Sequence, residues 1–292
     1  MIIDAHTHLF PEEVTKNRRA FCRRDEGFHL IYRNEKARMA SLEDLLQAMD
    51  RDNVDRSVIC GFPWKDPGLC RAGNDYLLHC HRQHPQRIIP FACLPLNSVR
   101  QAQKELERCL SQGMRGIGEL AFYEQGISVS GVRHLASMVK PLSGLGFPFL
   151  LHANEPVGHE YPGKSLKTLQ PIYQLLLLIP EVNVILAHWG GGFFFYELMP
   201  EVAHAAQRVF YDTAASPFLY RPEIYSLAVK IIGPDRILFG SDFPLISPGR
   251  YFQEFTAIGL SDRTQRKIKG RNAKNLLIPE IKAGAHPQDR VK

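Results

Sequence analysis

The sequence lacks the features that mark secreted, membrane or low-complexity proteins. Its six cysteines include no C-x-x-C pair and all lie at or before Cys109, unlike a disulfide framework. The longest apolar run, residues 175–179, is far too short to span a bilayer and is followed by Pro180. No basic segment followed by a long apolar one opens the chain, so no secretory signal is visible. We therefore expect a cytoplasmic protein with reduced cysteines and no membrane partner.

The charge is mildly basic, with 36 Lys and Arg against 30 Asp and Glu and a formal net charge of +6. Such an excess can indicate nucleic-acid binding. Here the basic residues are scattered, and the densest group, residues 263–274, has the mixed composition of a solvated helix. No recognition motif accompanies it, so we expect no nucleic-acid partner. A homo-oligomer is compatible with the sequence.

Short apolar runs alternate with longer segments of helical spacing, which is typical of repeated βα units around a parallel sheet. The eight candidate strands are residues 1–4, 56–62, 88–94, 115–120, 148–152, 183–188, 209–213 and 236–242. A helix is predicted to begin at Ser41, which forms a capping pair with Asp44. The later candidate helices are residues 72–84, 98–112, 132–145, 166–178, 196–207, 222–232 and 261–276. The pattern predicts an α/β fold, a (β/α)₈ TIM barrel that forms one domain over residues 1–292.

Two long segments interrupt the regular alternation. Residues 9–40 form an insertion after strand 1, and residues 153–165 form a loop rich in Gly and Pro after strand 5. Both follow the carboxyl end of a strand, which is the active-site side of this fold. Long loops in a compact domain tend to be functional, so we expect both to shape the site.

Residues that can bind a metal stand at the ends of several predicted strands. Successive side chains on a strand point to opposite faces, so His6 and His8, which are two residues apart, point the same way, although two hydrogen-bonded histidines at a strand end would give the same pattern. Four further candidates end strands 4, 5, 6 and 8: Glu119, His152, His188 and Asp242. In a barrel all six side chains converge on one mouth. We therefore predict a metal site there.

The chain resembles the amidohydrolase superfamily, in the branch that also contains aminocarboxymuconate-semialdehyde decarboxylase. The segments that carry the resemblance are DAHTH at 4–8, GEL at 118–120, LLHANEP at 150–156, LAHWGGG at 186–192 and LFGSDFP at 238–244. The resemblance implies that His6, His8 and Asp242 hold a first metal and that Asp242 accepts a proton from its bound water. It implies further that Glu119 bridges to a second metal, which His152 and His188 complete.

The donor types suit Zn²⁺ best, with Mn²⁺, Fe²⁺ or Ni²⁺ as alternatives and one or two ions bound. Two assignments have alternatives. Glu119 is also suited to support a histidine ligand without touching the metal, and His188 to act as a general base or electrophile. Asp4 is expected to support the barrel or a ligand.

The loop after strand 5 is the best candidate for recognising substrate. It carries His159, Tyr161 and Lys164, of which Lys164 would meet an anionic group. Trp64 and Tyr123 are candidate pocket walls, although aromatic residues at strand ends more often pack in the core.

The leading functional hypothesis is hydrolysis of an amide, lactone or ester bond of a small, anionic substrate by a metal-bound hydroxide. The alternative is metal-dependent, non-oxidative decarboxylation of an unsaturated or aromatic acid, because the same ligands serve both reactions. A third hypothesis is a non-catalytic barrel that keeps the metal for stability or binds a small ligand. The fold alone does not choose among them.

Overall fold

The computed structural model describes residues 1–123, 125–165 and 167–278, and within them eight parallel strands alternate with helices. The strands are β1 (Ile3–His8), β2 (Arg56–Cys60), β3 (Ile88–Pro90), β4 (Ile117–Leu120), β5 (Pro148–Leu151), β6 (Asn183–Leu186), β7 (Val209–Asp212) and β8 (Ile237–Leu238). The predicted TIM barrel is confirmed. Residues 279–292 of the predicted single domain lie outside the described residues, and that boundary stays a prediction.

The barrel is closed at two seams. The strands pair with their sequence neighbours in two groups, one from β1 through β3 and the other from β4 through β8. Single parallel bridges, Ala92 with Ile117 and Thr7 with Phe243, connect the two groups. At the second seam the Asp242 amide donates to the His6 carbonyl at 2.9 Å. The carboxyl ends of all eight strands therefore surround one mouth.

The helices occupy the gaps between strands. They are α1 (Glu12–Lys16), α2 (Arg18–Cys22), α3 (Glu26–Tyr32), α4 (Leu42–Arg51), α5 (Pro67–Gln83), α6 (Val99–Ser111), α7 (Val129–Val139), α8 (Leu169–Leu178), α9 (Pro200–Ala205), α10 (Ser216–Leu219), α11 (Glu223–Ile232), α12 (Pro248–Ala257), α13 (Asp262–Arg266) and α14 (Asn272–Leu277). The predicted capping box of Ser41 and Asp44 is confirmed at α4.

Several predicted helix bounds differ from the structure, and one helix was not predicted. Residues 188–192 all have positive φ angles and are not part of a right-handed helix, and 3-10 turns follow up to residue 198. Helix α9 begins only at Pro200, because proline suits the first turn of a helix but not its interior. Helix α12 was missed between two predicted elements. Helix α8 begins at Leu169, whereas Leu166, its predicted start, lies outside the described residues.

Side chains fill the barrel interior and separate the mouth from the opposite end. This inner cluster includes Val58 from β2, Phe91 beyond β3, Leu150 from β5 and Ile185 from β6, all fully buried. A larger cluster lies between the strands and the helices. The inside of the barrel is thus a packed core and not an open channel.

The insertion after β1 folds into α1, α2 and α3 and has a small aromatic core of its own. Phe28 stacks on Trp64 with ring centroids 4.7 Å apart and meets Phe62 edge-on at 5.2 Å. Asp25 caps α3 and also accepts the backbone N–H of Lys65, which follows β2. The insertion is therefore held against the β2 loop at the mouth. Trp64 belongs to this core, as its packing alternative predicted.

No helix among the described residues combines the length and the apolar character needed to cross a membrane.

Candidate active site

The structure brings the six predicted ligand residues together at the mouth of the barrel. His6 and His8 lie on β1 and Glu119 on β4, whereas His152 and His188 stand just beyond β5 and β6. Asp242 follows β8. His6 is fully buried, Glu119 and His188 are about 5% exposed, and the other three are partly buried. The convergence follows from strand ends that share one edge of a closed barrel.

Glu119 lies at the centre of this cluster. Its Oε2 is 3.7 Å from His6 Nε2 and 3.6 Å from His8 Nε2. Its Oε1 is 3.0 Å from His152 Nδ1 and 3.6 Å from His188 Nε2. The two oxygens therefore face two different pairs of histidines.

Asp242 completes the side of the cluster formed by β1. Its Oδ1 is 3.2 Å from His8 Nε2 and 3.8 Å from His6 Nε2.

These donor atoms fit a divalent cation. Glu119 forms one group of three with His6 and His8 and another with His152 and His188, and the donor atoms of each group lie within 4.8 Å of one another. Imidazole nitrogens and carboxylate oxygens are the ligands that transition-metal ions such as Zn²⁺ and Mn²⁺ use in proteins. In this arrangement Glu119 can either bind the metal itself or orient His152 through the contact with Nδ1.

Burial and charge act against each other on the ionisable groups. Burial by itself raises the pKa of Glu119, but His6 and His152 beside it lower that pKa well below its usual range. The pKa of Asp242 is likewise lowered, since hydrogen bonding to His8 and nearby His6 outweigh burial. Burial by itself lowers the pKa of His188, but Glu119 and Asp242 raise it by a larger amount, so the pKa is about 9. The cluster holds opposite charges close together out of water.

Local backbone geometry at the cluster is unusual. Gly118 has φ +127°, and a Cβ there would collide with the carbonyl oxygen of Leu150. His188 and Asp242 both adopt the left-handed region, with φ values of 55° and 61°. Such conformations cost energy for residues other than glycine and gather at functional sites. The backbone therefore adopts an unusual conformation next to Glu119 and at His188 and Asp242.

Two further carboxylates support β1 from within the barrel. Asp4 accepts the backbone N–H groups of His6 and Ser241, and its burial raises its pKa to about 7. Asp212 accepts from His6 Nδ1 at 2.8 Å. Sequence reasoning missed Asp212, although it ends β7 just as Glu119 stands near the end of β4. That position was the available signal.

A pocket of about 580 Å³ opens above the cluster. His8, Glu119, His152, His188 and Asp242 line it, and its walls are largely apolar and aromatic, formed by Ile31, Tyr32, Phe62, Tyr123, Phe218 and Leu245 among others. Burial raises the pKa of the Tyr32 and Tyr123 phenols, which stay neutral. The pocket thus has an ionisable floor and apolar walls.

The insertion supplies part of this pocket, including Tyr32 and Arg38. Arg38 is exposed, and among the described residues that line the pocket it is the only Lys or Arg. Sequence reasoning missed this residue, because nothing distinguishes it from the other arginines of residues 9–40.

The loop after β5 agrees with its prediction only in part. His159 and Tyr161 line the pocket. Lys164 does not, and this corrects its expected place. Its Nζ donates to the carbonyl oxygens of Val157 and His159, each at 2.8 Å, because a buried ammonium group needs acceptors for its hydrogens.

The chain is similar in sequence to a known protein family and to several decarboxylases. The family model described as amidohydrolase matches residues 3–277. A gamma-resorcylate decarboxylase from Rhizobium sp. is 26% identical over 248 residues, covering 71% of this chain and 75% of that protein. A 6-methylsalicylic acid decarboxylase from Penicillium expansum is 25% identical and covers 75% of this chain and 77% of that protein.

Among solved structures, a dihydroxybenzoic acid decarboxylase from Polaromonas sp. JS666 has a similar fold. Its TM-score is 0.71 at 20% identity, with 94% of this chain and 96% of that chain covered. That crystal structure contains manganese and the inhibitor 2-nitroresorcinol.

These findings overturn the leading functional hypothesis. Hydrolysis of an amide, lactone or ester is wrong as the main expectation, because these relatives are decarboxylases of aromatic acids. The physical reason is that the same histidine and carboxylate ligands serve both reactions, so ligand identity does not specify which bond breaks.

Proposed function

This chain belongs to the amidohydrolase family, and from that premise we propose that it is a metal-dependent, non-oxidative decarboxylase of an aromatic carboxylic acid. The observation that carries the proposal is a pocket with aromatic walls above a floor of histidines and carboxylates. The names of relatives that match about three quarters of the chain agree with it.

The metal would be held by His6, His8, Glu119, His152 and Asp242. When bound, a divalent cation supplies a fixed positive charge that orients an anionic oxygen of the substrate. Imidazole favours Zn²⁺ and carboxylate is well suited to Mn²⁺, so both ions are candidates for this mixed set. The Polaromonas structure with manganese supports including Mn²⁺.

The walls of the pocket would hold the aromatic ring. Tyr32, Phe62 and Tyr123 line one wall, and the rings of Phe62 and Tyr123 are stacked with centroids 6.1 Å apart. Aromatic surfaces of this kind bind flat rings through offset or edge contacts. His159 and Tyr161 from the β5 loop would contact the outer part of the substrate. Arg38 would pair with an anionic substituent and takes the role expected of Lys164.

Decarboxylation requires one proton at the ring carbon. The bond from that carbon to the carboxyl group breaks, CO₂ leaves, and a proton takes the place of the carboxyl group. His188 would donate it. Its Nδ1 lies 3.0 Å from the Ala214 carbonyl oxygen, which leaves Nε2 facing the cluster. In the metal-free protein Glu119 and Asp242 raise the pKa of His188 to about 9, so these carboxylates favour the protonated ring that a donor needs.

The decisive experiment measures CO₂ release from a panel of hydroxybenzoates by protein reconstituted with Mn²⁺ or Zn²⁺. We expect release from at least one acid and its loss in His188→Asn with metal content unchanged. His204→Asn, at an exposed position on α9, is the matched control and should keep wild-type activity. A fully metal-loaded protein that releases no CO₂ from any acid of the panel would refute the proposal.

A further inference from the structure

Asp212 is a fully buried carboxylate at the end of β7 that accepts three hydrogen bonds from neighbouring strand ends. Its Oδ2 is 2.8 Å from His6 Nδ1. Its Oδ1 accepts the backbone N–H groups of His188 at 2.9 Å and Ala214 at 3.0 Å. One side chain therefore links β1, the segment after β6 and the segment after β7.

The contact with His6 determines which ring nitrogen carries the proton. A neutral imidazole has one N–H, and a carboxylate partner at Nδ1 keeps that hydrogen on Nδ1. Nε2 is then left with a free electron pair. This atom lies 3.7 Å from Glu119 Oε2 and 3.8 Å from Asp242 Oδ1, within the group of metal donors. Asp212 thus presents His6 in the form that can bind a cation.

The contacts with backbone N–H groups act on His188. This residue has φ +55°, a conformation that needs support from its surroundings. Asp212 accepts the backbone N–H of His188 and also that of Ala214. The carbonyl oxygen of Ala214 in turn lies 3.0 Å from His188 Nδ1. The same carboxylate therefore stabilises both the backbone and the ring orientation of His188.

We propose that Asp212 is a positioning residue with two effects on the site: it sets the proton position on His6 and directs His188 Nε2 toward the pocket. The first effect, the His6 half of the proposal, requires only metal binding. The second effect, the His188 half, rests on the proposed function, because it concerns proton donation by His188.

Two substitutions separate these halves. In Asp212→Asn the amide oxygen can still accept from the backbone of His188 and Ala214. Its NH₂ group then faces His6 Nδ1 as a donor, which forces the imidazole to carry its proton on Nε2. Asp212→Ala removes both kinds of contact. Asp4→Asn is the matched control, since Asp4 is equally buried and accepts the His6 backbone N–H but contacts no ring nitrogen.

The first measurement is titration of Mn²⁺ and Zn²⁺ into chelator-treated protein, with the melting temperature of the metal-free form recorded alongside. We expect metal affinity to fall by about 10–100-fold in both Asp212 variants, as is usual when a partner of a ligand histidine is lost. Asp4→Asn should lower the melting temperature without weakening metal binding. Wild-type metal affinity in folded Asp212→Asn would overturn the proposal.

The second measurement is the ¹⁵N spectrum of the histidine rings. At a pH high enough for the His6 ring to be neutral, metal-free wild-type protein should show His6 with its proton on Nδ1, and Asp212→Asn should move that proton to Nε2. A neutral His6 ring that carries its proton on Nε2 in the wild-type protein would overturn the proposal even if both variants failed to fold.

The third measurement is kcat for CO₂ release at saturating metal. Asp212→Asn should recover most of the wild-type kcat because it keeps the backbone contacts of His188, whereas Asp212→Ala should stay at least about tenfold lower. Equal kcat values in the two variants would overturn the His188 half. If no acid is decarboxylated while metal affinity still falls in Asp212→Asn, the proposed function fails and the His6 half stands.

Discussion

Replacing Arg38 with Leu should weaken substrate binding without affecting the metal. Arg38 lines the pocket from the insertion, and its Nη1 lies 3.5 Å from the Pro244 carbonyl oxygen, which is too long for a strong competing bond. A hydrogen bond to a charged group contributes about 1.5–3 kcal/mol. Because the guanidinium is exposed, solvent reduces this to roughly 0.5–1 kcal/mol. KM should therefore rise by roughly 2–5-fold, with little change in kcat.

The assay is steady-state CO₂ release from the acid with the highest kcat/KM, together with metal analysis of each variant. Arg33→Leu is the matched control, because Arg33 is an exposed arginine that follows α3 in the same insertion and does not line the pocket. The rise in KM should also shrink with added salt, since exposed charges are screened. An unchanged KM in Arg38→Leu, or an equal rise in Arg33→Leu, would refute the role assigned to Arg38.

Three further outcomes are expected. Gly118→Ala should lower the melting temperature sharply or prevent folding, because the new Cβ collides with Leu150. Gly144→Ala, at φ +75° with open space around it, should cost only about 1–2 kcal/mol of stability. Equal losses of stability in the two variants would contradict this. Glu119→Gln should reduce metal affinity about tenfold or more by titration, and unchanged affinity would remove Glu119 from the metal site. In metal-free protein the pKa of His188 is about 9, against 6.5 when unfolded, so its stabilisation is complete below pH 6.5 and is lost as the pH rises through 9. Urea unfolding should therefore show a loss on the order of 1–3 kcal/mol between pH 6 and pH 9.5 that is smaller in His188→Asn.

The architecture and the cluster at the mouth could be predicted because both depend on local, periodic patterns. Alternating short apolar runs and helical segments specify βα units, and eight of them close a barrel. Once the barrel is closed, the carboxyl ends of all strands surround the same mouth, and inward-pointing polar residues there come together. Strand order alone therefore places His6, Glu119 and Asp242 at this mouth.

Reaction type, substrate contacts and supporting groups could not be predicted in the same way. Ligand identity is common to hydrolysis and decarboxylation, so the sequence favoured the wrong reaction. Lys164 and Arg38 look alike in sequence, and only the folding of their loops turns the first toward its own carbonyl groups and the second toward the pocket.

The sequence by itself determined the barrel and the set of ligand residues that converge at its mouth, because strand periodicity and strand order are encoded locally. Only the tertiary structure decided that Glu119 stands between two pairs of histidines and that Asp212 reaches both His6 and the backbone of His188. Those contacts join residues far apart in the chain. They depend on how strand ends and loops pack in three dimensions, which no local pattern records.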